Sequence, residues 1–137
     1  TVQAAVLNCR MTILDEVTEQ RRCNAERYRT GLAGVAEWVL CPSDQKYERA
    51  VYHVFVIQCD RRDELQRFLA DRKIEAPVHY PTPIHLKAVC SELDYKKGDF
   101  PETERQAQRI LSLPVHHGLS DKQIDYVVDS ITTFYAL

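Results

Sequence analysis

Two imidazoles, a phenol and two prolines fall within the eight residues His79-Tyr80-Pro81-Thr82-Pro83-Ile84-His85-Leu86. Imidazole and phenol groups donate and accept hydrogen bonds, and imidazole carries a proton near neutral pH, so this set suits a polar ligand. The prolines fix their own φ angles and push Tyr80 and Thr82 away from helix, which makes the segment a stiff, extended arm. A polar group already held in place loses less freedom when a ligand arrives. A second reading stands beside this one. The segment is equally a rigid connection in which a backbone carbonyl caps His79.

The arm needs elements to hold it. Ala76-Pro77-Val78 leads in as the end of a strand, and Ile84 to Leu93 leads out as a short helix, so the histidines sit at a strand-to-helix corner. Upstream, Val2, Ala5, Val6, Cys9, Ile13 and Val17 recur every three or four residues, and the pattern resumes at Ala25, Tyr28 and Leu32 before Gly31 and Gly34. This predicts one long helix of about eight turns, long enough to run along a second domain or subunit. Arg21, Arg22, Arg27 and Arg29 on it suggest a phosphate contact, but Glu16, Glu19 and Glu26 interleave with them, which favours a solvated face.

Glu37–Leu40 reads as a short strand. Val51–Cys59 reads as the main one, apolar on both faces, with His53 a core histidine beside Phe55 and Ile57. Asp60 is expected to cap a helix with Asp63 and Glu64 in its first turn, ending at a left-handed Lys73. Ile74–Val78 is the next strand. Pro101 opens a helix whose inner face is Thr103, Ala107, Ile110 and Leu111, and Leu113-Pro114-Val115 is extended. Ser120 and Gln123 form a capping box for a last amphipathic helix carrying Ile124, Val127, Val128, Ile131 and Phe134. The expected fold is therefore α+β: a small, mainly antiparallel sheet packed with helices, the longest of them N-terminal.

Bulk properties narrow the function. The chain's 137 residues make one domain, 1–137, with a real core. A net charge of -2 disfavours a broad grip on nucleic acid or anionic lipid. A ferredoxin-like nucleic-acid module also lacks its aromatic strand here. No apolar run has the length of a membrane span and no signal peptide opens the chain, so a cytoplasmic setting is expected. The five cysteines, Cys9, Cys23, Cys41, Cys59 and Cys90, are widely spaced without a CxxC, as reduced thiols would be, with Cys9 and Cys59 expected in the core. His116 and His117 are adjacent, so an extended chain points them to opposite faces, and no third metal ligand is evident. The chain opens in mid-pattern and is expected to be cut from something longer.

Taken in order, Gln3-Ala4-Ala5-Val6-Leu7, Val51-Tyr52-His53-Val54-Phe55-Val56-Ile57, Arg62-Asp63-Glu64-Leu65, the His79 to Leu86 arm, Gly98-Asp99-Phe100-Pro101, Leu111-Ser112-Leu113-Pro114 and Leu119-Ser120-Asp121 resemble the C-terminal part of the DegT/DnrJ/StrS-type aminotransferases. The arm followed by GDFP and LSLP at these separations is the specific part. The chain departs from the family where Val115-His116-His117-Gly118 stands in place of the usual Met-Phe-Pro-Glu, and where Lys73 stands in place of Gly. The resemblance implies a fold-type-I enzyme, dimeric, that uses pyridoxal phosphate (PLP) to aminate a nucleotide-linked keto sugar. It implies that this chain is the substrate-side domain and that the N-terminal PLP-binding domain is absent from it. It also implies that His79, Tyr80 and His85 bind substrate. Lys46, Lys73, Lys87, Lys96, Lys97 and Lys122 all lie in polar contexts, and no phosphate-binding motif occurs. No cofactor and no catalytic lysine are therefore expected in this chain by itself. The alternative is a stand-alone, non-catalytic binding or dimerisation module derived from the same domain.

Overall fold

A computed structural model describes all residues, Thr1–Leu137. Eight principal elements follow in order: α1 (Val2–Met11), α2 (Leu14–Gly31), β1 (Val39–Leu40), β2 (Phe55–Cys59), α3 (Arg62–Asp71), α4 (Pro101–Ala107), β3 (Ile110–Leu113) and α5 (Asp121–Ala136). The sheet has the order β1-β2-β3, and both pairings are antiparallel. Phe55 lies opposite Leu113, Ile57 opposite Leu111 and Val39 opposite Cys59. Helices α2, α3 and α5 pack with this sheet around one core that includes Tyr28, Phe55, Ile57, Leu65, Leu69, Leu111, Ile124 and Ile131. The α+β architecture is the expected one.

Several elements differ from expectation. The N-terminal helix is two helices. Thr12 Oγ1 donates to the carbonyl of Cys9 (2.8 Å) and Ile13 leaves helical geometry at φ -116°. A threonine hydroxyl that takes a backbone acceptor in this way competes with the helical ladder. The apolar stripe of α1 then meets nothing: no α1 residue is buried, and Cys9 is exposed where a core position was expected. Cys59 is buried as expected, and that burial raises its thiol pKa to about 11.

Only the second half of Val51–Cys59 is strand. Tyr52 takes a left-handed conformation (φ 47°), and Arg21 Nη1 binds the carbonyls of Tyr52 and His53 at 3.0 Å each, which removes both from any ladder. His53 is therefore exposed, not a core histidine. In β2 itself Phe55, Ile57 and Cys59 are buried and Val56 and Gln58 half-buried, so one face carries the core. Ile74–Val78 forms no strand. Ile74 and Ala76 are buried, but the one ladder-like bond is Ser112 N–H to the carbonyl of Pro77 (2.9 Å), and Pro77 has no N–H to return. Asp60 caps nothing. Left-handed Arg61 (φ 52°) precedes α3, and Asp60 pairs with Arg109 at 2.8 Å. Helix α4 stops at Ala107, and Ile110 and Leu111 belong to β3, where pairing with β2 buries Leu111 completely. Left-handed Lys73 (φ 63°), Pro101 in the first turn of α4 and the Ser120–Gln123 capping box are as expected.

Helices α2 and α5 approach closely at Gly31. A Cβ there would sit 2.8 and 2.9 Å from the two γ-methyls of Val128. Gly31→Ala is expected to destabilise the fold by about 1–3 kcal/mol through overpacking, read as a lower thermal midpoint. Combining it with Val128→Ala should recover part of the loss. A stable Gly31→Ala single variant would mean that the helices have room to separate.

Candidate functional site

The arm residues divide among three environments. His79 is exposed and shares a 2.9 Å hydrogen bond between its Nδ1 and Ser112 Oγ. Ser112 is buried (4% exposed), and this ring nitrogen is the one hydrogen-bond partner of its hydroxyl, so the bond fixes the His79 ring against β3. The His79–Tyr80 peptide is cis. Tyr80 stands 69% exposed, edge-on to His79 (5.7 Å) and beneath the Lys87 ammonium (5.3 Å from the ring centroid). His85 is buried (7% exposed), with Nε2 3.1 Å from Glu104 and its ring 4.8 Å from that of Phe100. Glu104 also accepts the Gly98 N–H at 2.7 Å. That bond, with help from His85, holds its carboxyl below the usual carboxylate range.

His79 borders an open cleft of about 350 Å³, whose lining includes Arg21, His53, Glu75, Ser112 and His116. Tyr80 lies instead over a neighbouring depression of about 330 Å³ with Thr82, Ile84, Lys87 and Gln106. His85 lines neither. So the structure brings only His79 of the three to this cleft, places Tyr80 next door, and uses His85 to fasten the arm to α4. The adjacent histidines separate at a turn closed by the Leu119 N–H on the His116 carbonyl (3.2 Å): His116 faces the cleft, and His117 borders a groove along α1 with Leu7, Met11 and Leu14. No three His, Cys, Asp or Glu side chains converge as a metal site requires.

Sequence reasoning missed Arg21, Glu104 and Ser112 as parts of this site. The signal for Ser112 was present, since it is the single polar residue in the apolar run Ile110-Leu111-Ser112-Leu113 and is buried there. Arg21 resembled its neighbours on the helix. Yet Arg22 pairs with Asp44, Arg27 with Asp121 and Asp125, and Arg29 with Glu26, while Arg21 has no carboxylate partner.

The family model for the "DegT/DnrJ/EryC1/StrS aminotransferase family" matches residues 1–132. The chain belongs to that family. It is 41% identical over 135 residues to the pleiotropic regulatory protein of Geobacillus stearothermophilus, covering 98% of this chain and 36% of the relative. It is 35% identical over 130 residues to the dTDP-3-amino-3,4,6-trideoxy-alpha-D-glucose transaminase of Streptomyces venezuelae, covering 95% and 34%. The crystal structure of S. venezuelae DesV in complex with a ketimine intermediate superposes with a TM-score of 0.91 at 34% identity, over 96% of this chain and 35% of that one. The chain thus spans about a third of the length of the family relatives it matches.

PLP is the cofactor of these family enzymes. It requires an amine withdrawn from water for its Schiff base and an acid under its pyridine nitrogen. All six lysines of this chain are exposed, so its own residues do not fit that requirement.

Proposed function

We propose that this chain is the substrate-side domain of a PLP-dependent aminotransferase acting on a nucleotide-linked keto sugar, and that it is inactive alone. The observation that carries the reading is a family match over residues 1–132 in a chain whose every lysine is exposed. The transaminase of Streptomyces venezuelae, named for a dTDP-linked amino sugar, supports the substrate class. In this reading residues 1–137 are one domain, and the PLP-binding domain lies outside it. His79 and Tyr80 face substrate hydroxyls or phosphate oxygens, while His85 keeps the arm in place from behind. The amine that carries out transamination belongs to the other domain. The working assembly is a cytoplasmic homo-oligomer with no nucleic-acid partner. No helix is long and apolar enough to cross a membrane.

The test joins this chain to the PLP-binding domain of its parent protein. His79→Ala is expected to lower kcat/KM for the keto sugar by about tenfold or more while leaving the cofactor absorption band intact. Unchanged turnover and affinity would leave the arm a structural connection. For the chain alone, PLP followed by borohydride is expected to label no single lysine in preference to the others. Stoichiometric labelling of one lysine would overturn the claim of inactivity.

A second reading, a non-catalytic dimerisation module, is favoured by one observation. Val6, Leu7 and Met11 of α1 and Leu14 of α2 are all exposed, and such an apolar strip calls for a cover. Sedimentation separates the two readings. Reversible self-association of the chain that Leu7→Glu abolishes favours the module. A monomer that complements a separately produced PLP-binding domain favours the enzyme.

A further inference from the structure

Ser112 fastens the arm to the sheet at two points. Its backbone N–H donates to the carbonyl of Pro77 (2.9 Å), and its hydroxyl shares the 2.9 Å bond with Nδ1 of His79, two residues further on. Ser112 lies opposite Val56 in the β2–β3 ladder, and its neighbours Leu111 and Leu113 belong to the core. Strand alternation therefore turns the serine side chain to the other face of the sheet. There it is 4% exposed, although it borders the open cleft that His79 also lines. A buried hydroxyl without a partner is costly, and the partner of this one is the ring of an exposed residue.

The chemistry of the group that faces Nδ1 decides what the ring can do. A backbone carbonyl or a carboxylate accepts only, so it would hold the ring with a hydrogen on Nδ1. A hydroxyl either donates to a bare Nδ1 or accepts from Nδ1–H. It therefore suits both neutral tautomers and the imidazolium, with no movement of the ring. In each of these forms Nδ1 is occupied, and Nε2 is the ring nitrogen left for a ligand. We infer that Ser112 is a positioning residue: it reserves Nε2 of His79 for the substrate and leaves that nitrogen free to donate or to accept there. A ring held in this way meets a polar group without first giving up rotational freedom. The link to turnover rests on the aminotransferase reading above. The positioning itself rests on the two bonds made by Ser112.

Two measurements test this role. The first follows the ring nitrogens of His79 in the 15N-labelled chain by long-range proton–nitrogen correlation, with exposed His117 as the internal reference. Ser112→Ala is expected to move both His79 ring nitrogens toward those of His117 and to leave His117 unchanged. Ser112→Thr keeps the hydroxyl and is expected to retain the original His79 signals. If the serine merely fills space, Ser112→Ala leaves the His79 ring signals where they are, and that result overturns the inference. Should Ser112→Ala fail to fold, the unsubstituted chain decides the matter: ring nitrogens of His79 that coincide with those of His117 at every pH overturn it. The second measurement is turnover of the chain joined to the PLP-binding domain of its parent protein. Ser112→Ala is expected to lower kcat/KM about three- to tenfold and to have no further effect once His79 is replaced by Ala, because it acts through that ring. Equal losses in the two backgrounds overturn the positioning role. A silent His79→Ala counts instead against the aminotransferase reading of the arm, and the ring nitrogens then decide the positioning by themselves.

Discussion

Phe55→Ala is expected to lower the unfolding free energy by about 3–5 kcal/mol, a large share of the roughly 5–15 kcal/mol of a typical domain. Phe55 is fully buried at the start of β2, opposite Leu113 of β3. Its ring stacks on Tyr28 (centroids 5.2 Å apart) and meets Tyr52 at 5.8 Å. The Tyr28 hydroxyl donates to the carbonyl of Pro114 at 2.8 Å, so the same ring cluster joins α2, β2 and the end of β3. Truncation leaves a cavity that Tyr28 cannot fill without giving up this bond. Trp38, the single tryptophan, stacks on Tyr135 instead (5.5 Å, 4° between planes), so its fluorescence reports global unfolding in urea without touching the mutated site. Phe55→Leu removes fewer atoms and should lose less. A loss below about 1 kcal/mol for Phe55→Ala would mean that the cluster collapses around the gap. The consequence reaches the cleft, because Ser112, which holds His79, precedes Leu113 on β3.

The architecture was legible wherever short-range chemistry decides it. Proline at the start of α4, the Ser120–Gln123 box and left-handed Lys73 each need only a few neighbouring residues. Periodicity also located the buried face of α5. It failed where a distant partner intervenes. Nothing within Val51–Val54 announces that Arg21, 31 and 32 residues away from Tyr52 and His53, takes their two carbonyls, which is why the strand is shorter than its composition suggests and His53 lies outside the core. Ile74–Val78 has a strand's composition, but Pro77 leaves it one useful rung. The apolar stripe of α1 is real in sequence and uncovered in this chain. Composition reports that a face is apolar, not what lies against it. In the site, the arm was recognisable from its prolines and rings. The division of His79, Tyr80 and His85 among cleft, surface and interior depends on Ser112 and Glu104, which are distant in sequence.

That division makes Glu104 the residue on which the arm's order should depend most. Its Oε1 accepts the Gly98 N–H (2.7 Å) and lies 3.1 Å from His85 Nε2, so one carboxylate joins the loop before α4 to the C-terminal end of the arm. Removing it leaves buried His85 and the Gly98 N–H unpaired together, and lost partners of this kind favour local opening. Glu104→Ala is expected to speed amide exchange across 84–100 by roughly ten- to a hundredfold while the sheet stays protected. Mass-resolved hydrogen exchange on proteolytic peptides measures both regions in one experiment. Acid should produce the same loosening in the unmodified chain. The Gly98 N–H, followed by His85, depresses the Glu104 pKa in the folded state. The stabilisation is therefore fully present above the ordinary glutamate value of about 4.3 and is lost as pH falls through the lower folded value. Glu104→Gln keeps an acceptor oxygen but cannot titrate, so its exchange across 84–100 should lose this pH step. If Glu104→Ala leaves 84–100 as protected as before, the prolines alone hold the arm and the His85–Glu104 contact is incidental.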